Sequence, residues 1–177
     1  MSDDANARDD ANADADATVR PYESTDADAL WECKRAFELG LGDGTGGDDK
    51  REAYEAKLTE RYRERYLAWV DRCVEEDDRC VTVAAAADGL AGYAFVLPES
   101  MAFVWDAAVL NEIYVADEYR GTGLADELLT AALDVARGQD LPLDRMVLDV
   151  DAANDRARAF YRRHGFDHWG EMVAREL

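Results

Sequence analysis

Two glycines set immediately before a strong helix former constrain this chain more than any other feature. Gly121 and Gly123 lie in the stretch EYRGTGLADELL, Glu118 to Leu129. Beyond them, Leu128, Leu129, Ala132, Leu133 and Ala136 give a helix from about Leu124 to Arg137 a wide apolar face, and Gly138 stops it. A helix with so wide a face lies on a sheet. The apolar run from about Ala107 to Val115 supplies one strand of that sheet. A strand, a glycine turn and a helix therefore follow one another directly.

A helix start carries unpaired N–H groups and a partial positive charge. Glycines ahead of it let the backbone approach an anion with no Cβ in the way. Gly121 and Gly123 suit that role, Ala125 keeps the first turn slim, and Arg120 adds a fixed charge. The stretch reads either as an ordinary turn or as a phosphate cradle. It is not the dinucleotide fingerprint G-x-G-x-x-G, whose last position is Asp126 here, and no Gly-Lys-Ser/Thr Walker loop occurs.

The rest of the chain is organised around that unit. Residues 1–16 are almost all Asp, Ala and Asn, and the composition predicts a disordered acidic tail ahead of a single domain over 17–177. Thr18 to Tyr22 reads as a short strand, which Pro21 places at a sheet edge or at a strand end. STDADALWECKRAFELG reads as a helix capped at Thr25 and ended by Gly40, followed by a mobile glycine-rich loop to Lys50. Arg51 to about Val74 reads as a second helix. A hairpin turning at Asp88-Gly89 joins strands near 80–86 and 91–97. RMVLDVD reads as a buried strand, ANDRARAFYRRHG as a helix capped by Asn154 and ended by Gly165, and FDHWGEMVAREL as a closing strand. The order is mixed α/β.

Composition narrows the partners. The 177 residues carry a net charge of −20, with lysine only at Lys34, Lys50 and Lys57. Such a surface repels phosphate, which disfavours nucleic acid as a direct partner, and none is expected. The acid is spread along the whole chain, so adaptation to a salty cytoplasm, as in a halophile, is favoured over an acidic funnel for a cationic substrate. No apolar run suits a membrane span and the N-terminus lacks the pattern of a secretory signal, so a cytoplasmic protein without a membrane partner is expected. Cys33, Cys73 and Cys80 lack metal spacing and read as reduced core residues. His164 and His168 read as solvated or packing side chains, and the four tryptophans as core or interface. No metal is expected.

Taken together, LNEIYVADEYRGTGLADELLTAAL and VDAANDRARAFYRRHGF resemble the GNAT acyltransferase superfamily. Arg120, Gly123 and Ala125 match its central Gln/Arg-x-x-Gly-x-Gly/Ala motif, and Asn154, Tyr161, Gly165 and Phe166 match its next motif. The resemblance covers Thr18 to about Leu177. It implies an α/β fold with a mixed, mostly antiparallel central sheet, flanked by helices and with splayed central strands. It implies acetyl-coenzyme A as co-substrate, with the pyrophosphate on the backbone of Gly121, Thr122, Gly123, Leu124, Ala125 and Asp126. The pantetheine arm would lie beside Ile113, Tyr114 and Val115, where the strand at 107–115 splays from that at 145–150. Asn154 would touch the coenzyme or cap its helix.

The implied reaction is direct acetyl transfer to a primary amine of a small molecule or peptide. Tyr161 would protonate the leaving thiolate. Glu112 is the candidate base, placed by strand alternation on the side of Leu110 and Tyr114. Polyamine-acetylating relatives carry two adjacent acids on this strand, whereas the first of the pair is Asn111 here. A homodimer is compatible with the resemblance. The rival from another class is a coenzyme A-binding sensor or interaction domain that has lost turnover.

Overall fold

The computed structural model describes residues 17–44, 48–173 and 175; the acidic tail expected at 1–16 lies outside them. Strand β1 (Thr18–Pro21) leads through a short 3-10 turn into helices α1 (Ala27–Gly44), α2 (Asp48–Lys57) and α3 (Glu60–Glu76). Strands β2 (Val81–Ala86), β3 (Gly89–Val96) and β4 (Ala108–Val115) follow, then α4 (Leu124–Arg137), β5 (Met146–Val147) and α5 (Asp155–Arg163). The sheet order is β1-β2-β3-β4-β5, antiparallel throughout except for the parallel β4–β5 pair. This is the mixed, mostly antiparallel sheet flanked by helices that the sequence predicts, and β1 is its edge.

The two faces of the sheet bury different helices. On one, Leu30 and Trp31 of α1 and Tyr66 and Val70 of α3 pack on Val81, Val83, Tyr93 and Phe95. On the other, Leu124, Leu128, Leu129, Ala132 and Val135 of α4 pack on Ala84, Ala94, Val96 and Leu110, with Phe160 and Tyr161 of α5 alongside. The strands pack closely at Gly92. A Cβ there would lie 2.4 Å from the Tyr114 carbonyl oxygen, so only glycine fits.

Several expectations are corrected. Glu23, not Thr25, occupies the cap, and Glu23 and Asp26 form a capping box that starts the 3-10 turn. Helix α1 passes through Gly40 to Gly44, and residues 48–50 already belong to α2, so the described residues of the expected loop are helical. A mid-helix glycine costs only about 1 kcal/mol, and Phe37 and Leu41, one turn apart on either side of Gly40, line the same cleft. The expected second helix is two helices, because the Thr59 hydroxyl accepts the Tyr62 N–H at 3.3 Å and restarts the helix at Glu60.

The expected strand at 145–150 pairs only at Ala108–Met146 and Val109–Val147, and its residues are at most half-buried. The closing strand is absent among the described residues. There Trp169 instead packs edge-on to Trp105, with ring centroids 6.4 Å apart, under the Arg145 guanidinium. Trp105 and Trp169 are exposed, whereas Trp31 is buried and Trp69 packs against the core.

Candidate active site

The glycine turn has the backbone that the sequence asks for. Gly121 (φ 83°) and Gly123 (φ 97°) both occupy the left-handed region, and Gly123 is the N-cap of α4. Thr122 braces the turn by donating its hydroxyl to the Tyr119 carbonyl at 2.7 Å and accepting the Leu124 N–H at 3.4 Å. The Arg120 guanidinium ties back to the Val115 carbonyl at 3.2 Å and pairs with Asp117. Among the described residues no hydrogen bond takes up the N–H groups of Gly121, Gly123 or Ala125. Space beyond Gly121 and Gly123 is open within 4 Å. The Asp126 N–H, by contrast, is already given to the Gly123 carbonyl at 2.9 Å. Its carboxylate binds Arg163 and His164, each at 2.6 Å, and the Arg163 hydrogen bond holds it below the usual carboxylate range. His164 thus has a definite partner, joining α5 to the start of α4.

Upstream of the turn, β4 has one full edge and one short one. Gly92, Tyr93 and Ala94 pair with Val115, Tyr114 and Ile113 on the β3 side. On the β5 side, pairing ends at Val109, and the strands splay as expected. A cleft of about 120 Å³ opens where they part. Tyr161, Glu112, Asn111, Asn154, Asp149 and Phe37 are among its lining residues. The two catalytic candidates therefore share one cleft, and Asn154 reaches it too. Asn154 also caps α5, its side-chain oxygen accepting the Ala157 N–H at 3.0 Å. A larger hollow of about 450 Å³, walled by Glu75, Glu76, Asp77 and Asp78, shares none of these residues.

The strand is bulged at Asn111. Phe95 pairs with Glu112 but Val96 pairs with Leu110, leaving Asn111 as the extra residue. Simple alternation therefore fails. Leu110 packs on the α4 side, whereas Glu112 faces Tyr66 and Tyr93 on the α1–α3 side, so the expectation that Leu110 and Glu112 share a side is corrected.

Glu112 is 5% exposed and draws four donors. Oε1 accepts from Lys34 Nζ at 2.6 Å and Asn111 Nδ2 at 3.2 Å. Oε2 accepts from Tyr93 at 2.6 Å and Tyr66 at 2.8 Å. Burial first, then the Glu112 charge, raises both phenols well above their ordinary value. Lys34 also contacts Glu38 Oε1 at 2.7 Å, and Glu38 Oε2 forms a 2.7 Å ion pair with Lys57. Burial opposes the Lys34 charge, but the two carboxylates outweigh it and raise its pKa. Tyr161 packs between Phe160 and Phe166, and burial pushes its phenol up to about 12.

Sequence reasoning missed Lys34, Glu38, Tyr66 and Tyr93. One signal was present: in a chain with three lysines, Lys34 sits one turn beyond Leu30 and Trp31 on the apolar face of α1. Among the described residues no cluster of His, Cys, Asp or Glu could hold a metal, and no helix is long and apolar enough to cross a membrane.

Comparison with known proteins identifies the family and the fold. Residues 47–166 match the acetyltransferase (GNAT) family. The L-methionine sulfoximine/L-methionine sulfone acetyltransferase of Pseudomonas paraeruginosa is 30% identical over 105 residues, 59% of this chain and 60% of that protein. The chain thus spans about 60% of the length of that curated relative. The PaiA N-acetyltransferase of Thermoplasma acidophilum, solved in complex with coenzyme A, superposes with a TM-score of 0.68 at 21% identity, covering 85% of this chain and 89% of that one. A ribosomal-protein-alanine N-acetyltransferase from Brucella melitensis gives 0.65 at 22% identity, covering 86% of each chain.

Proposed function

Because the chain belongs to the acetyltransferase (GNAT) family, we propose that it moves the acetyl group of acetyl-coenzyme A directly to a primary amine. The observation that carries this reading is the meeting of Tyr161 and Glu112 in one cleft, at the point where β4 leaves β5. The residues fit the coenzyme. The N–H groups of Gly121, Gly123 and Ala125 suit a pyrophosphate, with Thr122 shaping the turn and Arg120, Leu124 and Asp126 framing it. The open edge of β4 at Ile113, Tyr114 and Val115 suits an extended amide-bearing arm, and Asn154 lies on the cleft wall beside Tyr161. The bound thioester supplies an activated acyl carbon; the chain supplies position and proton transfer.

Tyr161 is the general acid in this reading. Its phenol, pushed up to about 12 by burial, is neutral at pH 7 and has a proton to give. Glu112, on β4 in the cleft wall, is the base. The same wall carries Asp149 and Asp151, and no Lys, Arg or His lines it among the described residues. That lining favours a cationic amine with no neighbouring carboxylate. The wider reading is a single catalytic domain over 17–177, working in a salty cytoplasm to which the charge of −20 is suited, without nucleic-acid or membrane partners and compatible with a homodimer.

The test mixes acetyl-coenzyme A with a panel of amines and peptides at high salt and follows thiol release. Release with at least one alkylamine is the expected result. Coenzyme binding without release on any acceptor would instead make the chain a sensor. Tyr161→Phe should lower kcat by about 100-fold, within the range of general-acid effects, while coenzyme affinity by calorimetry stays within about twofold. Unchanged kcat removes the acid role.

A further inference from the structure

The Glu112 network is continuous from the cleft to the surface, and this continuity exceeds what holding one carboxylate in place requires. Glu112 lies on the cleft wall. Lys34 Nζ bridges Glu112 Oε1 at 2.6 Å and Glu38 Oε1 at 2.7 Å, and is itself 4% exposed. Glu38 is 3% exposed and meets Lys57 at 2.7 Å, and the Lys57 side chain is 37% exposed. Burying two carboxylates and an ammonium costs several kcal/mol per ion before their attraction is counted. Apolar side chains would join α1 to β4 without that cost.

We propose that Lys34 and Glu38 relay to solvent, through Lys57, the proton that Glu112 takes from the acceptor ammonium. The proposal rests on the reading of Glu112 as base. Of the four donors on Glu112, the Asn111 amide is the longest at 3.2 Å and also lies on the cleft wall. It is the donor that an incoming ammonium, or its bridging water, displaces.

The steps balance. The ammonium gives one proton to Glu112 and keeps its lone pair for attack. Lys34 gives a proton to Glu38 and takes the one on Glu112, so it is an ammonium before and after. Lys57, whose side chain is exposed, then gives a proton to water and takes the one on Glu38, so it too is an ammonium before and after. One proton has left the cleft, and no group in the chain has changed its charge. Lys34 suits this step because an ammonium carries three donors on one atom and can hand one on. A guanidinium, charged at all accessible pH, cannot be emptied and refilled in this way.

Two variants test the relay. Glu38→Gln keeps size and still accepts from Lys34 but has no site for a proton. Lys34→Arg keeps the charge but bars the hop. Each is assayed with a primary alkylamine, largely an ammonium at neutral pH with a pKa of about 10, and with an alkoxyamine of the same length that is already neutral at pH 7. The expected result is a kcat loss of about tenfold or more with the alkylamine and a clearly smaller loss with the alkoxyamine, in at least one folded variant with unaltered coenzyme affinity. Equal losses on both acceptors would show a purely structural network and overturn the relay, as would wild-type rates on both. If the wild-type protein acetylates no amine at all, the transferase reading itself falls and takes the relay with it.

Discussion

At the scale of single residues, Gly92 and Glu112 show how narrowly β3 and β4 are fitted to each other. Gly92 lies so close to β4 that an added Cβ would come within 2.4 Å of the Tyr114 carbonyl, 3.2 Å of Val115 Cα and 3.2 Å of Leu128 Cδ1. Two of those three atoms are backbone and cannot swing aside. Gly92→Ala should therefore destabilise the protein by about 1–3 kcal/mol, the usual cost of overpacking, read as a lower urea midpoint at unchanged slope. An unaltered midpoint would mean that the strands can part locally. Glu112 shows the opposite economy, its two oxygens drawing donors from Lys34, Asn111, Tyr66 and Tyr93. Four donors hold that carboxylate in one orientation.

At the scale of elements, the α4 start is the most exacting piece. Its cap, Gly123, has φ 97° and faces open space. Gly123→Val would force a β-branched residue into the left-handed region and put a side chain over the bare N–H groups. The expected outcome is an increase of about tenfold or more in the coenzyme dissociation constant, as follows from losing roughly 1.4 kcal/mol, measured by calorimetry; an unchanged constant would move the phosphate site elsewhere. This element was legible in the sequence because its signals are local: two glycines, a helix period and a stop at Gly138. The cap at Asn154 was legible for the same reason, as was the hairpin, although its two-residue turn is Ala87-Asp88, one position before the expected Asp88-Gly89, and Gly89 already pairs with Ala86. The Glu112–Lys34–Glu38 network was not, because Lys34 and Glu112 are 78 positions apart and meet only through the fold. The bulge at Asn111 was hidden too, since one extra residue in a strand changes no residue type, only which face follows. The break at Thr59 was signalled by a capping residue inside a continuous helical pattern, where the pattern was the louder feature.

At the scale of the whole molecule, the buried carboxyls Asp26 and Glu38 tie stability to pH. Arg20 hydrogen-bonds Asp26 and holds its carboxyl below the usual range. Burial pushes Glu38 up, but Lys34 and Lys57 outweigh it and leave the carboxyl lowered. A carboxyl depressed in the folded state stabilises above its unfolded pKa, about 4, and that stabilisation is lost as pH falls through the lower folded value. Acid unfolding should therefore set in below about pH 4, followed by circular dichroism, and Asp26→Asn should shift its midpoint upward. A midpoint unmoved by that substitution would show that Asp26 and Arg20 do not govern it.

The short edge of β4 carries one more consequence. The strand is fully engaged by β3 yet held by β5 at only Ala108 and Val109, so the sheet is unfinished along Leu110 to Val115. A ligand lying along that edge would complete a secondary structure as well as fill a cleft. Its binding free energy would then count toward the folding of the sheet, and at a hundredfold excess over the dissociation constant it would add about 2.7 kcal/mol to global stability. The amides of β4 would be the place where this coupling is felt, exchanging with solvent more slowly as the co-substrate takes the position of the missing strand.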